Sequence, residues 1–342
     1  MAENSAVSIP APSDGGPLLA IRSLSKRFPV ERDFFGRPTS WLSAVDDVSL
    51  DVWPGETLAV VGESGCGKST LARLTLRLIP ATSGSVSFDG IDVLDGDREA
   101  MRRFRHDAQI VFQDPFGSLD PRMKVEAIVG EGMGHLGLSR KDRRQRIDEL
   151  LDLVQLPGAV RDRLPHEFSG GQRQRISLAR ALAVSPRFLI ADEPVSALDV
   201  SMQAQILNLL QDLQERLNLT YMFISHDMSV VRYIADRVAV MYLGKLVEVA
   251  PAVELFRNPL HPYTQALLSS VPSLFRPSET QRIALEGEAP NPVDPPVACR
   301  FAGRCFRTLD ACHSEQPPLE RIPSAQDHWV ACFNSAPLTT GG

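Results

Sequence analysis

A chain of 342 residues, 43% hydrophobic and 23% charged, has an ordinary globular composition and length for one large domain or a large one with a small companion. Its net charge of −6 gives no support to a general nucleic-acid binder, which needs a basic face. No run approaches the ~18 consecutive apolar residues of a membrane-spanning helix, and "MAENSAVSIPAPSDGGPLLA" lacks the basic start and apolar core of a secretory signal. The expectation is a cytosolic chain, in which disulfides are disfavoured and clustered cysteines read first as metal ligands.

Ser, Pro and Gly dominate residues 1–16 and predict a disordered leader. "PLLAIRSL" and "AVDDVSLDV" alternate like half-buried strands, with the polar stretch 31–43 read as a loop between them. "TLAVVG" is a short apolar strand ending in glycine, and "STLARLTLRLI" continues as a helix. "GSVSFDG" and "AQIVFQ" read as strands, 142–155 and 170–184 as helices. "RFLIAD" is a buried strand, 201–217 a helix, "TYMFIS" a strand, and "RVAVMYLGKLVEVA" a hairpin turning at Gly244. Strands alternating with helices predict an α/β fold with a largely parallel central sheet. Prolines become frequent near residue 258, which places the main domain at 17–257 and an extension at 258–342. Residues 258–271 suit a short helix with Pro262 near its start.

"GESGCGKST", Gly62 to Thr70, fits G-x-x-x-x-G-K-S/T and lies between a predicted strand and a predicted helix. Gly62, Gly65 and Gly67 permit backbone angles that side chains forbid, so amides can face phosphate oxygens at the positive end of a helix. Glu63, Ser64 and Cys66 fill the variable positions, and Cys66 reads as a small side chain tucked under the loop. Lys68 supplies a point charge for the β and γ phosphates, and Ser69 a hydroxyl for Mg²⁺. "RFLIADEP" ends a strand in Asp192 and Glu193. The first is placed to hold Mg²⁺, the second to polarise a water beside the γ-phosphate. Ser169 is a helix cap followed by Gly170, Gly171 and Gln172, which makes a second helix N-terminus with accessible amides. One P-loop and a second phosphate site imply two chains sharing nucleotides.

This order of motifs resembles the ABC-type ATPases: Lys68, Gln113 in "VFQDP", the Ser169–Gln172 signature, Asp192-Glu193, "SALD" ending at Asp199, and His226 in "ISHD". The resemblance covers about residues 17–257. It implies a P-loop ATPase domain with a mostly parallel sheet core, an antiparallel β subdomain and a helical signature subdomain. It further implies that Phe28 stacks on adenine, where Tyr is more usual, and that Gln113 approaches Mg²⁺ and the attacking water. Glu193 would be the general base, His226 would contact the γ-phosphate, and Asp199 would reach across a dimer. ATP would lie between one chain's P-loop and the other's signature. Taken alone, His226 reads as a polar residue at a strand end and Gln113 as a surface amide.

"QDPFGSLDPRM", "PHEFSGGQRQRISLARAL" and "NPLHPYTQALLSSVP" resemble the ATPase subunits of bacterial oligopeptide and dipeptide importers. That implies two permease partners, a second ATPase that is often a distinct sibling, a substrate-binding protein met only indirectly, and a place on the cytoplasmic face of the membrane. Two alternatives share the core motifs. An exporter ATPase leaves the extension unexplained. A non-transport ABC ATPase of DNA repair or translation usually carries tandem ATPase domains or a long coiled coil, and neither is in this sequence.

The extension holds Cys299, Cys305, Cys312 and Cys332, spaced C-x5-C-x6-C-x19-C. Zinc ribbons use C-x2-C pairs, so zinc fits the spacing poorly, whereas a [4Fe–4S] cluster tolerates varied spacing. The importer resemblance also implies a cluster there; zinc, free thiols and disulfide chemistry remain open. Arg300, Arg304 and Arg307 are expected to offset a cluster's negative charge. The tail lies far in sequence from every predicted ATP-handling residue.

Overall fold

The chain opens as a long antiparallel hairpin, β1 (Leu19–Arg32) and β2 (Pro38–Val52). The computed structural model describes residues 15–113, 115–270, 283–285, 291–323 and 327–337; the predicted leader lies outside them up to residue 14. The stretch 31–43, expected to be a loop, is mostly strand. The Asp33 carboxylate accepts from Phe35 N–H and Arg37 N–H at 2.9 and 2.8 Å, and this tight turn lets both strands run on. Strand polarity misled the reading, because the tip of the hairpin buries neither face: Phe34 is 98% exposed.

Two compact units divide the chain: residues 1–53, 58–95 and 225–342 form unit one, and 54–57 with 96–224 form unit two. In unit one, β3 (Thr57–Val61) is buried throughout, which explains its unbroken apolar run, and it leads through the glycine loop into α1 (Lys68–Thr75). β4 (Ser83–Phe88) and β5 (Ile91–Asp92) complete an antiparallel sheet of order β2-β1-β4-β5.

Unit two begins with α2 (Arg98–Asp107), capped by Asp97, and β6 (Ala108–Val111). Only Met101 and Phe104 of α2 are buried, too few apolar positions for the helix to show in the sequence. Next come α3 (Pro115–Ser118), α4 (Val125–Val129), α5 (Arg140–Leu153) and α6 (Gly170–Leu182); α4 and α5 pack on α6. β7 (Phe188–Asp192), α7 (Val200–Leu217) and β8 (Thr220–Ser225) follow. β6, β7 and β8 run parallel, with Ile110 opposite Ile190 and Ile190 opposite Met222.

The chain then returns to unit one. α8 (Met228–Ile234) leads to β9 (Arg237–Tyr242), parallel to β3, and β10 (Lys245–Pro251) folds back on β9. The two-residue turn between them puts Leu243 and Gly244 at φ 42° and 82°, the left-handed pair that suits a tight hairpin. α9 (Ala252–Arg257) and α10 (Pro262–Ser269) follow, the latter capped by His261 Nδ1, which accepts from Tyr263 N–H at 3.0 Å. The tail adds β11 (Glu320–Arg321) and β12 (Trp329–Val330), with β12 antiparallel to β10.

The extension shares the core of unit one. Tyr263 and Phe301 pack in one buried cluster with Val61, Val240, Tyr242 and Leu255. A buried carboxylate fastens it further. Glu248 of β10 accepts from Leu260 N–H at 2.7 Å and His261 N–H at 3.0 Å, and lies 2.7 Å from His328 Nε2.

Candidate active site

The glycine loop of unit one is built by exclusion. A Cβ on Gly62 would sit 2.1 Å from the Met241 carbonyl oxygen, and one on Gly67 2.1 Å from that of Ala44. Their φ values of 153° and 111° also lie where side chains are strained, so both positions require glycine. No side chain caps the first turn of α1, and its amides stand at the positive end of the helix. Lys68 is buried, and its Nζ donates to the carbonyls of Gly62 and Glu63 at 2.8 and 2.9 Å. Cys66 is buried 3.7 Å from that ammonium, and burial pushes its thiol up, as suits an inert filler under the loop. Ser64 and Gly65 are exposed at the crown; Ser69 and Thr70 are partly exposed on the helix.

Phe28 lies on β1 in the same unit, 37% exposed, with Lys26 Nζ 4.9 Å over its ring. His226 is exposed in the turn between β8 and α8. That turn is fixed by Asp227, whose N–H donates to Ser225 Oγ at 3.0 Å and whose carboxylate accepts from Ser229 N–H at 2.8 Å.

Unit two holds the carboxylates. β7 ends in Asp192, 3% exposed, and Glu193 then turns left-handed at φ 48°. A non-glycine residue in that conformation stores strain, which clusters at working sites. Glu193 N–H donates to Ile224 O at 3.0 Å, which holds the turn against the end of β8. Gln113 Nε2 donates to Glu193 Oε2 at 2.9 Å. The structure thus joins two predicted residues that stand 80 positions apart. A carboxylate at the mouth of a buried strand, aimed by an amide, can accept a proton from a water.

The signature is a reciprocal cap. Ser169 Oγ accepts from Gln172 N–H at 3.3 Å, and Gln172 Oε1 accepts from Ser169 N–H at 3.1 Å. Gly171 leaves room for Met202, whose terminal methyl lies 2.0 Å from where a Cβ would stand. Asp199 caps α7, accepting from Met202 N–H at 2.9 Å.

No disulfide joins the four tail cysteines. Cys299 N–H donates to Cys312 O at 3.1 Å, and the sulfurs of Cys305 and Cys332 accept from Arg307 N–H and Asn334 N–H at 3.3 and 3.4 Å. Burial first, then the charges of the other tail thiols, raises Cys299 and pushes Cys332 up to about 11. Among the described residues, no group of three or more His, Cys, Asp or Glu is arranged to hold a metal ion. The donor chemistry suits a cluster or zinc; the arrangement does not.

Two of the arginines are a correction. Arg300 donates to Leu243 O and Asp46, Arg304 to Glu63, and Arg307 to the carbonyls of Ala336 and Pro337. Carboxylates pair with Arg300 and Arg304, whereas Arg307 meets carbonyls and donates its backbone N–H to Cys305 Sγ. The Arg304–Glu63 pair, 241 positions apart, had no signal in the sequence.

Compared with known families, residues 45–196 match the ABC transporter model, and residues 247–312 match the C-terminal region of oligopeptide/dipeptide transporters. The oligopeptide transport ATP-binding protein AppF of Bacillus subtilis is 49% identical over 319 residues, covering 92% of this chain and 96% of that protein. The chain belongs to the ABC transporter ATPase family. The dipeptide transport ATP-binding protein DppF of Haemophilus influenzae is 47% identical, covering 93% of this chain and 97% of that one. Among solved ABC cassettes, CbiO1 of Clostridium perfringens, part of the complex cbiONQ, superposes with TM-score 0.62 at 28% identity over 71% of this chain and 92% of its own. The dimeric cassette MJ0796, in a post-hydrolysis state bound to ADP and Pi, gives TM-score 0.60 at 28% identity, covering 68% and 98%.

Proposed function

We propose that this ABC ATPase energises import of di- or oligopeptides, or related small solutes, through a membrane transporter. The observation that carries the reading is the peptide-transporter C-terminal region, matched over 247–312, on a chain whose glycine loop and Gln113–Glu193 pair are intact. An exporter ATPase or a non-transport ABC ATPase accounts for the cassette but leaves that region unexplained.

In this reading Phe28 stacks on adenine, and Gly62–Thr70 wrap the phosphates. Lys68 exchanges two carbonyl oxygens for phosphate oxygens. In this reading the donors to Mg²⁺ would be the Ser69 hydroxyl, the Asp192 carboxylate and the Gln113 amide oxygen, all oxygens, as Mg²⁺ requires. When bound, Mg²⁺ neutralises charge on the phosphates. Glu193 takes a proton from water as the water oxygen attacks the γ-phosphorus; the bond to the ADP oxygen breaks, yielding ADP and phosphate. His226 contacts the γ-phosphate. Ser169 to Gln172 of one subunit close over the ATP of the other, and Asp199 reaches across the dimer.

The second subunit is another copy or a distinct sibling ATPase. No described helix is long and apolar enough to cross a membrane, so two permeases would carry the cargo while this chain binds their cytoplasmic side. A cavity of about 870 Å³ in unit two, just before Gln113, suits a permease helix; Arg98, Arg102, Phe112, Glu131 and Arg180 line it. An extracytoplasmic binding protein would select the peptide. The four thiols support a finer reading, a [4Fe–4S] cluster or zinc, which requires them to draw closer. Anaerobically purified protein that is colourless and iron-free would reject the cluster.

The deciding experiment is affinity purification from the native cell membrane. Recovery with two permeases, and peptide-stimulated ATP hydrolysis after reconstitution with them and their binding protein, is the expected result. Recovery with DNA or ribosomes instead would overturn the reading.

A further inference from the structure

Every polar group of Glu63 in the glycine loop is engaged, by Lys68 within the loop and by Tyr263 and Arg304 of the C-terminal extension. Its carbonyl accepts from Lys68 Nζ at 2.9 Å. Its N–H donates to Tyr263 Oη at 2.8 Å, and Tyr263 is fully buried on α10. Its carboxylate takes a two-pronged grip from Arg304, Nη1 to Oε2 at 2.8 Å and Nη2 to Oε1 at 3.2 Å. The Arg304 side chain is 9% exposed and that of Glu63 31%, so water reaches the pair mainly from the carboxylate side.

The turn that carries Arg304 is itself fixed. Phe301, 2% exposed, places its ring 5.2 Å from that of Tyr242 and 5.5 Å from that of Tyr263. Ala302 N–H donates to Cys299 O and Arg304 N–H to Phe301 O, both at 3.0 Å. On the other flank of the loop, Arg300 holds Leu243 O, while Gly244 N–H donates to Cys66 O at 2.8 Å. The extension therefore grips the loop's crown directly and braces its base through the hairpin.

We propose that Arg304 and Tyr263 of the C-terminal extension are positioning residues for nucleotide binding, holding Glu63 and through it the Lys68 ammonium in the conformation that receives ATP. The extension thereby completes the phosphate loop of its own chain. The physical reason is entropic: a loop of glycines is free to collapse, and a clamp on the Glu63 side chain removes that freedom before ATP arrives. The inference rests on reading Gly62–Thr70 as the ATP loop.

The test uses the full chain, with a fluorescent ATP analogue for Kd, steady-state ATPase for KM and kcat, and thermal unfolding in parallel. Arg304→Ala is expected to raise Kd and KM about tenfold, equivalent to about 1.4 kcal/mol, with kcat within about twofold. Arg304→Lys should recover only part, since an ammonium cannot make the two-pronged grip. Glu63→Gln should weaken binding similarly, and adding it to Arg304→Ala should cost little more. Lys68→Ala serves as the reference. If it abolishes binding while Arg304→Ala and Tyr263→Phe leave Kd unchanged, the clamp is refuted. Additive losses from Glu63→Gln and Arg304→Ala would also refute it. If Lys68→Ala itself leaves Kd unchanged, the reading of the loop fails instead. Should Arg304→Ala not fold, Arg304→Lys and Glu63→Gln decide alone.

Discussion

Glu248→Gln tests what fastens the peptide-transporter extension to its ATPase. The carboxylate is fully buried and serves Leu260 N–H, His261 N–H and the His328 ring, at 2.7, 3.0 and 2.7 Å. Glutamine keeps the shape but has one acceptor oxygen, so its amide NH₂ must face at least one of those donors. Leaving a buried donor unsatisfied costs about 1–3 kcal/mol, and removing the charge weakens the remaining bonds. We expect a loss of roughly 2–4 kcal/mol, seen as a fall in melting temperature of roughly 3–6 °C at pH 7. The assay is calorimetry or far-ultraviolet circular dichroism on the full chain, with limited proteolysis reporting cleavage after residue 258. The extension should be cut first. A melting temperature within about 1 °C of the parent would refute the reasoning, because three donors cannot lose a shared buried acceptor at no cost.

His261 offers a pH test of the same junction. Burial, offset only partly by Glu248, lowers its pKa from 6.5 to about 4, so the unfolded chain binds this proton more readily. Stability is therefore whole above about pH 6.5 and lost as pH falls toward about 4, by up to ~3 kcal/mol. His261→Asn, which keeps an acceptor for Tyr263 N–H, should flatten that fall; an unchanged pH profile would reject the assignment. Glu193→Gln should lower kcat at least about 100-fold while leaving ATP affinity within about threefold; parental turnover would remove Glu193 as the base. Gly62→Ala should abolish nucleotide binding, because its Cβ would sit 2.1 Å from Met241 O; calorimetric titration giving parental affinity would show that the loop has room.

Local chemistry is what the sequence determined by itself. The strand Thr57–Val61, the glycine loop and α1 are contiguous, and their phosphate-binding character follows from backbone freedom and helix polarity. The capped signature helix and the buried strand ending in Asp192 are equally local, and so is the turn at Gly244. Sequence reasoning failed where the deciding partner was remote or absent. The hairpin tip around Phe34 has no buried face, so no alternation announces its strands. Gln113 and Glu193 meet only because β6 and β7 lie side by side. Arg304 stands among cysteines in the sequence, and charge alone assigned it to them. Folding turned it to Glu63, because Phe301 anchors its turn on Tyr242 and Tyr263 beside the loop. A side chain's type is a property of the sequence, but the partner it meets depends on packing between segments 241 residues apart. Tertiary structure therefore decided that the cysteine-bearing tail, the segment most remote in sequence from the ATP motifs, touches the nucleotide loop.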